Sequence, residues 1–231
     1  MDEGGWQDIA DAMQVDLRML ARARQVHGSG VSIAEIAPEP SPSADIIVTG
    51  DARRAVAVSA ADCAPILMVD GRTGAVAAAH AGWRGLAIGV PAATVEGLVR
   101  GYGSRPADLL VAVGPSIGAC CYEVGREVRE AFGSGRFARE SIERLFHEHP
   151  SSSGCNPSVP RLVETRRPQH WFFDGWAAVR EQLAEGGVPA EQVFVAELCT
   201  ASHPELFCSF RRDGPPAGRL AAVIKPRSPR P

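Results

Sequence analysis

The stretch AVAAAHAGWRGL, residues 75–86, decides the fold and also raises the question of function. Five small apolar residues lead directly to His80, and a tryptophan and Arg84 then lie between two glycines. A short apolar run bounded in this way is typical of a buried strand. The residues that follow, 85–103, predict a helix with Pro91 near its first turn or at a kink. The pattern therefore predicts a strand that carries His80 at its end, beside a turn that carries Arg84.

Other apolar runs of strand length flank this stretch. We predict strands at 45–50, 55–60, 64–70, 109–116, 193–198, 206–213 and 219–225, of which the last two form a hairpin. We predict helices at 7–20, 122–132 and 170–188, and a loop at 150–168. The first strands lie too close together for strand–helix–strand units. We therefore predict a mixed α+β fold in which mixed β-sheets are layered with helices, as a single domain over 1–225 with a disordered tail at 226–231.

The composition limits the classes of partner. The chain has 231 residues with 24 basic and 27 acidic side chains, so that no broad basic field for nucleic acid exists. No apolar run reaches the roughly 18 residues of a membrane span, and the acidic N-terminus does not resemble a signal peptide. We therefore expect a cytoplasmic protein that binds neither nucleic acid nor membrane. Without a coiled-coil pattern, we expect a monomer or weak oligomer.

The cysteines are expected to be thiols rather than disulfides. Without a secretory signal, a long chain more often uses cysteine as a metal ligand, a reactive thiol or a buried apolar residue. No CxxC pair occurs, so a zinc ribbon is not indicated. The six cysteines are Cys63, Cys120, Cys121, Cys155, Cys199 and Cys208.

Three residue types that zinc prefers follow apolar or turn-forming segments far apart in the sequence. His27, Cys63 and His80 can form a His₂Cys site, in which three protein ligands leave a fourth position for water or substrate. Ligands from three separate segments suit a catalytic site better than a short structural knuckle. From the residues alone, two hydrogen-bonded histidines and a buried free cysteine are the more ordinary interpretation.

The neighbouring residues also leave alternatives open. Cys63 can be a nucleophile with His27 or His80 as its base and Asp62 as the orienting group, as in a cysteine hydrolase. Arg84 can present a guanidinium fork to phosphate, or it can form an ordinary salt bridge. Ser116, in GPSIGACCYEVG (114–125), can begin a backbone nest that binds an anion, or lie in a close-packed turn.

An ordered set of motifs resembles the YfiH-type laccase-domain family, which is also labelled polyphenol oxidase and described as purine nucleoside phosphorylase. The motifs are QVHG (25–28), ADCAPIL (61–67), HAGWRG (80–85), GPSIGACCYEVG (114–125), LCT (198–200) and FCSFRRDG (207–214). The resemblance covers about residues 8–224. It implies a YfiH-like sandwich fold and a zinc site formed by His27, Cys63 and His80.

The same resemblance implies phosphorolysis of adenosine, inosine, guanosine or methylthioadenosine, with deamination of adenosine as a side activity. The partners implied are a purine nucleoside and phosphate. On this reading Cys63, His80 and Arg84 are catalytic, and Arg84 and Ser116 bind substrate. Family members carry a further N-terminal segment before the first helix, so the domain is expected to be N-terminally shortened.

The oxidase label implies copper and phenolic substrates instead. Laccase chemistry needs several coppers and many histidines, whereas this chain has only six histidines. Zn²⁺ is therefore favoured over copper. A laccase-like copper oxidoreductase, a cysteine hydrolase using Cys63, and a non-catalytic binding protein in cell-wall quality control remain the alternatives.

Overall fold

A six-stranded mixed sheet lies at the centre of the computed structural model, which describes residues 3–34, 41–135, 137–151 and 167–227. The described strands are β1 Leu20–Ala21, β2 Val31–Ile33, β3 Ile46–Thr49, β4 Ala55–Ala60, β5 Ala64–Asp70, β6 Val76–Ala81, β7 Leu109–Val113, β8 Glu123–Gly125, β9 Phe146–His147, β10 His170–Phe173, β11 Val193–Val195 and β12 Leu220–Ile224. The central sheet has the strand order β11-β7-β5-β6-β3-β2. Its edge pairs, β11 with β7 and β2 with β3, are parallel, and its inner pairs are antiparallel.

Helices and two smaller sheets complete the fold. The described α-helices are α1 Glu3–Ala12, α2 Trp83–Ile88, α3 Val90–Tyr102, α4 Arg126–Gly133, α5 Arg139–Leu145, α6 Gly175–Glu185 and α7 Phe210–Asp213. The smaller sheets have the orders β1-β4-β12 and β8-β10-β9. Short 3-10 turns at Leu17–Met19, Pro106–Asp108 and Ala190–Gln192 precede β1, β7 and β11.

The strand β6 explains the layering, because all six of its residues are buried. Successive side chains of a strand point to opposite faces. Ala77 and Ala79 belong to the core between the central sheet and its helices, while Val76 and Ala78 belong to the core between the two sheets. Small side chains on both faces let a helix and a second sheet approach the same strand.

The β1-β4-β12 sheet shows the same alternation one layer further out. Val56 and Val58 of β4 face the central sheet, and Ala55 and Ala57 face away from it, towards α1. The described residues therefore form an α/β/β/α sandwich. This architecture confirms the predicted mixed α+β fold, with mixed sheets layered with helices in a single domain.

Glycine divides the helix that was predicted over 85–103. The structure has two helices, α2 and α3, which meet at Gly89, where the left-handed φ of 94° ends the first helix. Pro91 lies in the first turn of α3, as predicted, where its missing N–H costs no helical hydrogen bond. The short α2 thus turns the chain sharply after β6.

Several other predicted elements are wrong in part. The helix predicted at 7–20 ends at Ala12 and is followed by a 3-10 turn and β1. The helices predicted at 122–132 and 170–188 each begin as a strand, β8 and β10, which pair with each other. Residues at the junction of a strand and a helix share one apolar face, so periodicity alone did not separate the two elements.

The hairpin predicted from 206–213 and 219–225 is also wrong. The first segment ends in the short helix α7, begun by Ser209, whose hydroxyl accepts a hydrogen bond from the Arg212 N–H at 3.2 Å. The second segment is β12, and it pairs antiparallel with β4 instead. Most of the loop predicted at 150–168 and the last four residues of the predicted tail lie outside the described residues. Across the described ranges, none of the helices has the length and apolar character that crossing a membrane requires.

Candidate metal centre

The register of three strands brings the candidate residues to one edge of the central sheet. In the antiparallel pair of β5 and β6, Pro65 lies opposite His80, so Cys63 stands just beyond the start of β5 at the end of β6. In the pair of β3 and β6, Ile46 lies opposite Ala79, which places Asp45 beside His80. By strand alternation all three side chains point to the face covered by the β1-β4-β12 sheet.

His27, Cys63 and His80 meet at this edge. One potential ligand atom from each residue lies within 4.8 Å of the other two. The imidazole rings of His27 and His80 are 4.9 Å apart between centroids, with planes at 63°. His80 is buried, Cys63 is half-buried and His27 is exposed, so the group opens towards solvent on one side.

Asp45 supports two of these residues at once, although the sequence analysis did not single it out. Its carboxylate is fully buried, and Oδ1 lies 2.9 Å from Nδ1 of His80. The same carboxylate accepts hydrogen bonds from the backbone N–H groups of Val26, His27 and Gly28 at 3.1, 3.0 and 2.7 Å. Asp45 therefore fixes the ring of His80, leaves its Nε2 for another partner, and holds the His27 turn in place.

The turn at His27 is further fixed to the second sheet. Gln25 donates from Nε2 to the carbonyl of Ser59 on β4, and its Oε1 accepts from the Ser59 N–H, each at 2.8 Å. His27 itself has a φ of 57°, in the left-handed region that residues other than glycine rarely adopt. The surrounding hydrogen bonds hold this strained conformation, which is a common property of functional turns.

The pKa values of Cys63 and His80 are shifted by burial and by their neighbours. Burial by itself raises the pKa of Cys63, but hydrogen bonds with His27 and His80 lower it to about 7. Burial by itself lowers the pKa of His80, but its hydrogen bonds with Asp45 and Cys63 raise it to about 9. The arrangement therefore favours a thiolate at Cys63, which is the form that binds metals and attacks electrophiles.

Gly82 leaves space at the centre of the group. A Cβ at this position would lie 2.9 Å from both Sγ of Cys63 and Nδ1 of His27. The backbone of Gly82, with φ −74° and ψ 174°, is open to any residue. Position 82 is therefore glycine because a side chain would collide with Cys63 and His27, and not because the backbone conformation needs glycine.

Asp62, which the hydrolase interpretation placed beside a histidine, has other partners. Its Oδ1 accepts from the Thr200 hydroxyl at 2.6 Å, and its Oδ2 accepts from the backbone N–H of Arg211 at 2.6 Å. The orienting carboxylate of the cluster is Asp45 instead. Asp62 fastens the loop before β5 to two distant segments of the chain.

A small cavity opens beside Cys63. Its volume is about 40 Å³, far below the roughly 300–1,000 Å³ of a pocket that encloses a drug-sized ligand. The lining residues include Cys63, Gly82, Trp83, Ser116 and Tyr122. A larger ligand would therefore extend from this cavity into the open space at its mouth.

Arg84 lies in the first turn of α2 and is exposed. Its guanidinium carbon stands 4.2 Å from the centroid of the Trp83 ring, a cation–π contact. Among the residues that the structure describes, no carboxylate oxygen lies within salt-bridge distance of it. The salt-bridge interpretation of Arg84 is therefore not supported, and the guanidinium faces solvent.

The segment after β7 forms a close-packed turn rather than a backbone nest. The N–H groups of Ser116 and Ile117 donate to the carbonyls of Leu198 and Asp62 at 3.2 and 2.9 Å, so neither is free for an anion. The Ser116 hydroxyl lines the cavity and accepts a hydrogen bond of 2.7 Å from Nε1 of Trp176. Only this hydroxyl remains a candidate for substrate contact.

Two further residues beside the cavity were not identified from the sequence. The guanidinium of Arg211 stands 5.0 Å from the ring centroid of Tyr122 and donates to the carbonyl of Glu123 at 2.6 Å. Burial raises the pKa of Tyr122, so its phenol stays protonated. His203 bonds through Nδ1 to the carbonyl of Cys199 at 2.8 Å.

The chain is similar in sequence to several known proteins. A family model described as multi-copper polyphenol oxidoreductase laccase matches residues 4–227. A protein of Bacteroides thetaiotaomicron named purine nucleoside phosphorylase is 33% identical over 181 residues, or 78% of this chain and 60% of that protein. Purine nucleoside phosphorylase YfiH of Escherichia coli is 34% identical over 87% of this chain and 71% of its own length.

Solved structures agree with these similarities. The hypothetical protein YfiH of Bacillus licheniformis has a TM-score of 0.83 at 26% identity, over 97% of this chain and 80% of that one. YlmD from Geobacillus stearothermophilus has a TM-score of 0.76 at 29% identity, over 96% and 79% of the two chains. The present chain spans three fifths of the Bacteroides relative and about four fifths of the solved structures.

Proposed function

This chain belongs to the multi-copper polyphenol oxidoreductase laccase family, and we propose that it is a zinc-dependent purine nucleoside phosphorylase with adenosine deaminase activity as a side reaction. The observation that carries the proposal is the meeting of His27, Cys63 and His80 beside a cavity lined by Trp83, on whose ring the exposed guanidinium of Arg84 is stacked. The names of the relatives supply the reaction class, and the geometry supplies residues for it.

The donor set fits a zinc ion. Two imidazoles and a thiolate are ligands that zinc prefers, and a set of three leaves one position open. The Asp45–His80 hydrogen bond is the support that metal-bound histidines generally have, and Gly82 keeps the centre free of a side chain. When bound there, zinc supplies Lewis acidity and a positive charge to the reaction.

The chain's own residues supply the remaining functions. Arg84 binds the phosphate through its planar fork, and its contact with Trp83 keeps the guanidinium oriented. A phosphate oxygen then forms a bond to C1′ of the ribose while the bond from C1′ to N9 breaks. The electron pair of the C1′–N9 bond passes to the purine, which takes up a proton from water at the open mouth of the cavity. The protonated phenol of Tyr122 donates a hydrogen bond to the departing base, and the Ser116 hydroxyl contacts the substrate.

The proposed substrates are adenosine, inosine, guanosine and methylthioadenosine, which all contain the bond that is broken. Because the cavity is small, the ribose and base lie mainly at its open mouth. A mouth that does not enclose the base is compatible with several purines.

One observation favours a second candidate, a cysteine hydrolase. Asp45, His80 and Cys63 form a continuous chain of hydrogen bonds, and the pKa of Cys63 falls to about 7. A thiolate beside an oriented histidine is the arrangement of a cysteine nucleophile. The copper oxidase is disfavoured because only two of the six histidines join the cluster.

The decisive experiment uses protein of known zinc content incubated with adenosine, with and without phosphate. Phosphorolysis predicts phosphate-dependent release of adenine and ribose 1-phosphate, and deamination predicts a smaller yield of inosine. The Cys63→Ala variant should lose both activities, whereas Cys208→Ala, at a free cysteine outside the cluster, should keep them.

The alternatives predict different results. Ester or amide hydrolysis that survives chelation but not Cys63→Ala supports the cysteine hydrolase. No turnover of any purine nucleoside by fully zinc-loaded protein contradicts the phosphorylase and favours a binding protein.

A further inference from the structure

A second group of ligand-type side chains, the thiol cluster of Cys120, Cys121 and Cys199, lies outside the site described above. Its three sulfur atoms lie within 4.8 Å of one another. We propose that this thiol cluster is a separate binding site for a soft metal ion, and that Cu(I) is the ion it fits. The proposal does not depend on the phosphorylase activity.

Two loops that follow neighbouring strands of the central sheet build the thiol cluster. The loop after β7 and the loop after β11 are joined by a parallel bridge between Ser116 and Cys199. The Thr200 N–H donates to the carbonyl of Ser116 at 3.1 Å, next to the bond from Ser116 to Leu198. These bonds bring residues from distant parts of the sequence together without any metal, so the three sulfurs are preorganised.

Apolar side chains pack against the thiol cluster. Cys120 and Cys199 are only 2% and 0% exposed, and they pack with Ile117 and Trp176 in one hydrophobic cluster. In the described part of the chain, no carboxylate or imidazole joins the three sulfurs within the same distance. A buried site with sulfur ligands alone selects soft ions over magnesium, calcium or manganese.

The number of ligands separates Cu(I) from zinc. Structural zinc takes four ligands in a tetrahedron, and the described residues offer three. Cu(I) is a soft ion that accepts a small number of thiolates without needing an additional ligand. The two candidate sites therefore differ in the ion they favour, zinc at the mixed nitrogen and sulfur site and Cu(I) at the thiol cluster.

The sulfur of Cys199 lies between the other donors of the thiol cluster. It accepts hydrogen bonds from the thiols of Cys120 and Cys121 and from the backbone N–H of Gly118. A metal ion would replace the two thiol protons as the positive partner, with the cysteines bound as thiolates.

A metal ion bound at the thiol cluster would restrict the loop that forms one wall of the cavity. Ser116, Ile117 and Tyr122 all line the cavity, and all three lie on the loop that carries Cys120 and Cys121. A metal that joins this loop to Cys199 adds a cross-link between the two loops. The proposed role of the bound ion is therefore to stabilise one wall of the substrate cavity.

The test uses the full chain in its reduced form under anaerobic conditions, with Cys63→Ser introduced to disable the first site. Cu(I) is delivered from a complex with the chelator bathocuproine disulfonate, and the protein competes for it. We expect one Cu(I) per chain, a thiolate-to-copper absorption band and an X-ray absorption spectrum with three sulfur neighbours. The thermal unfolding midpoint should rise on loading.

Matched variants in the same background identify the ligands. Cys121→Ser and Cys199→Ser should each lose the bound Cu(I), whereas Cys208→Ser should retain it. Cys121 is only half-buried, so its variant keeps the test valid if Cys199→Ser does not fold, as judged by circular dichroism. Absence of tight Cu(I) binding, binding that survives Cys121→Ser, or zinc that outcompetes Cu(I) for this site would each overturn the assignment.

Discussion

The cluster of His27, Cys63 and His80 and the thiol cluster of Cys120, Cys121 and Cys199 each bring three ligand-type side chains within 4.8 Å, but their surroundings differ. In the first cluster, the buried carboxylate of Asp45 hydrogen-bonds to His80, His27 is exposed to solvent, and Cys63 lines a cavity. The thiol cluster has no carboxylate among its ligand-type groups and is packed by aromatic and aliphatic side chains.

This difference shows which features separate a reactive site from a stabilising one. A metal that does chemistry also needs access for substrate, and within the described residues the first cluster has an exposed ligand, His27, and a ligand that lines the cavity, Cys63. Enclosure in apolar surroundings excludes substrate and favours a structural role. The ligand atoms alone do not make this distinction.

The largest effect is expected from Gly82→Ala, which places a methyl group between Cys63 and His27. Because that carbon would lie 2.9 Å from both ligand atoms, the cluster cannot close around an ion. We expect loss of zinc from this site and a fall in phosphorolysis of more than about 100-fold, beyond the effect of losing a supporting residue. The effect of Gly82→Ala is measured as the zinc bound per chain and as kcat/KM for adenosine.

Gly101→Ala is the matched control for this change. Its new carbon would lie 3.8 Å from Cδ1 of Ile33, an ordinary contact on an exposed part of α3. This variant should keep full activity and gain up to about 1 kcal/mol in the free energy of unfolding. Equal activity of Gly82→Ala and wild type would contradict the placement of the metal.

Asp45→Asn should have the next largest effect. Loss of the carboxylate weakens the support of His80 and of the His27 turn, which we expect to lower zinc affinity and kcat/KM by about 10- to 100-fold. Asp70→Asn is the matched control, since Asp70 is equally buried but caps the turn between β5 and β6. A similar loss of activity in both variants would show that the effect of Asp45 is only structural.

Arg84 allows a smaller and more specific test. Hydrogen bonds to a charged partner contribute about 1.5–3 kcal/mol, so Arg84→Ala should raise the KM for phosphate at least about 10-fold, with little change in the KM for adenosine. Arg84→Lys should restore only part of the loss, because lysine cannot make the bidentate contact. Arg100→Ala, at an exposed arginine paired with Glu96, should change neither KM.

The smallest effect is expected at acid pH, where Asp70 behaves as a purely structural carboxylate. Burial by itself raises its pKa, but hydrogen bonds at the turn, including those from the N–H groups of Arg72 and Thr73, lower it to about 2. A lowered pKa adds stability above the unfolded value of 3.8, and this contribution is lost as the pH falls from about 4 towards 2.

The Asp70→Asn variant should therefore lose on the order of 1 kcal/mol of unfolding free energy at pH 7 and almost none near pH 2. Urea titrations at both pH values measure the difference. If the unfolding free energies of wild type and variant differ by the same amount at both pH values, the contribution of Asp70 is not electrostatic.

The strands that build the first cluster were predictable because of their composition. The runs at 55–60 and 64–70 match β4 and β5, since short apolar segments between polar or turn-forming residues are typical of strands. His27, Cys63 and His80 were candidates because their residue types suit zinc, and the resemblance to the YfiH-type family implied that they are the ligands. The three side chains come close together because of the register of β3, β5 and β6, and local sequence does not specify this register.

Asp45 was missed because an aspartate before an apolar strand looks like an ordinary strand boundary. Its role arises from four hydrogen bonds that connect it to His80 and to a turn 17–19 residues away. The thiol cluster was missed for a similar reason. Cys199 reaches Cys120 and Cys121 only through the pairing of two loops, which leaves no periodic pattern in the sequence.

The most direct test of the account is the rate of phosphorolysis as a function of bound zinc in wild type, Cys63→Ala and Cys121→Ser. We predict that the rate rises linearly to one zinc per chain in wild type and in Cys121→Ser, and stays at background in Cys63→Ala. Phosphorolysis by zinc-free protein, or a rate that survives Cys63→Ala and is lost in Cys121→Ser, would contradict the assignment of catalysis to the first cluster.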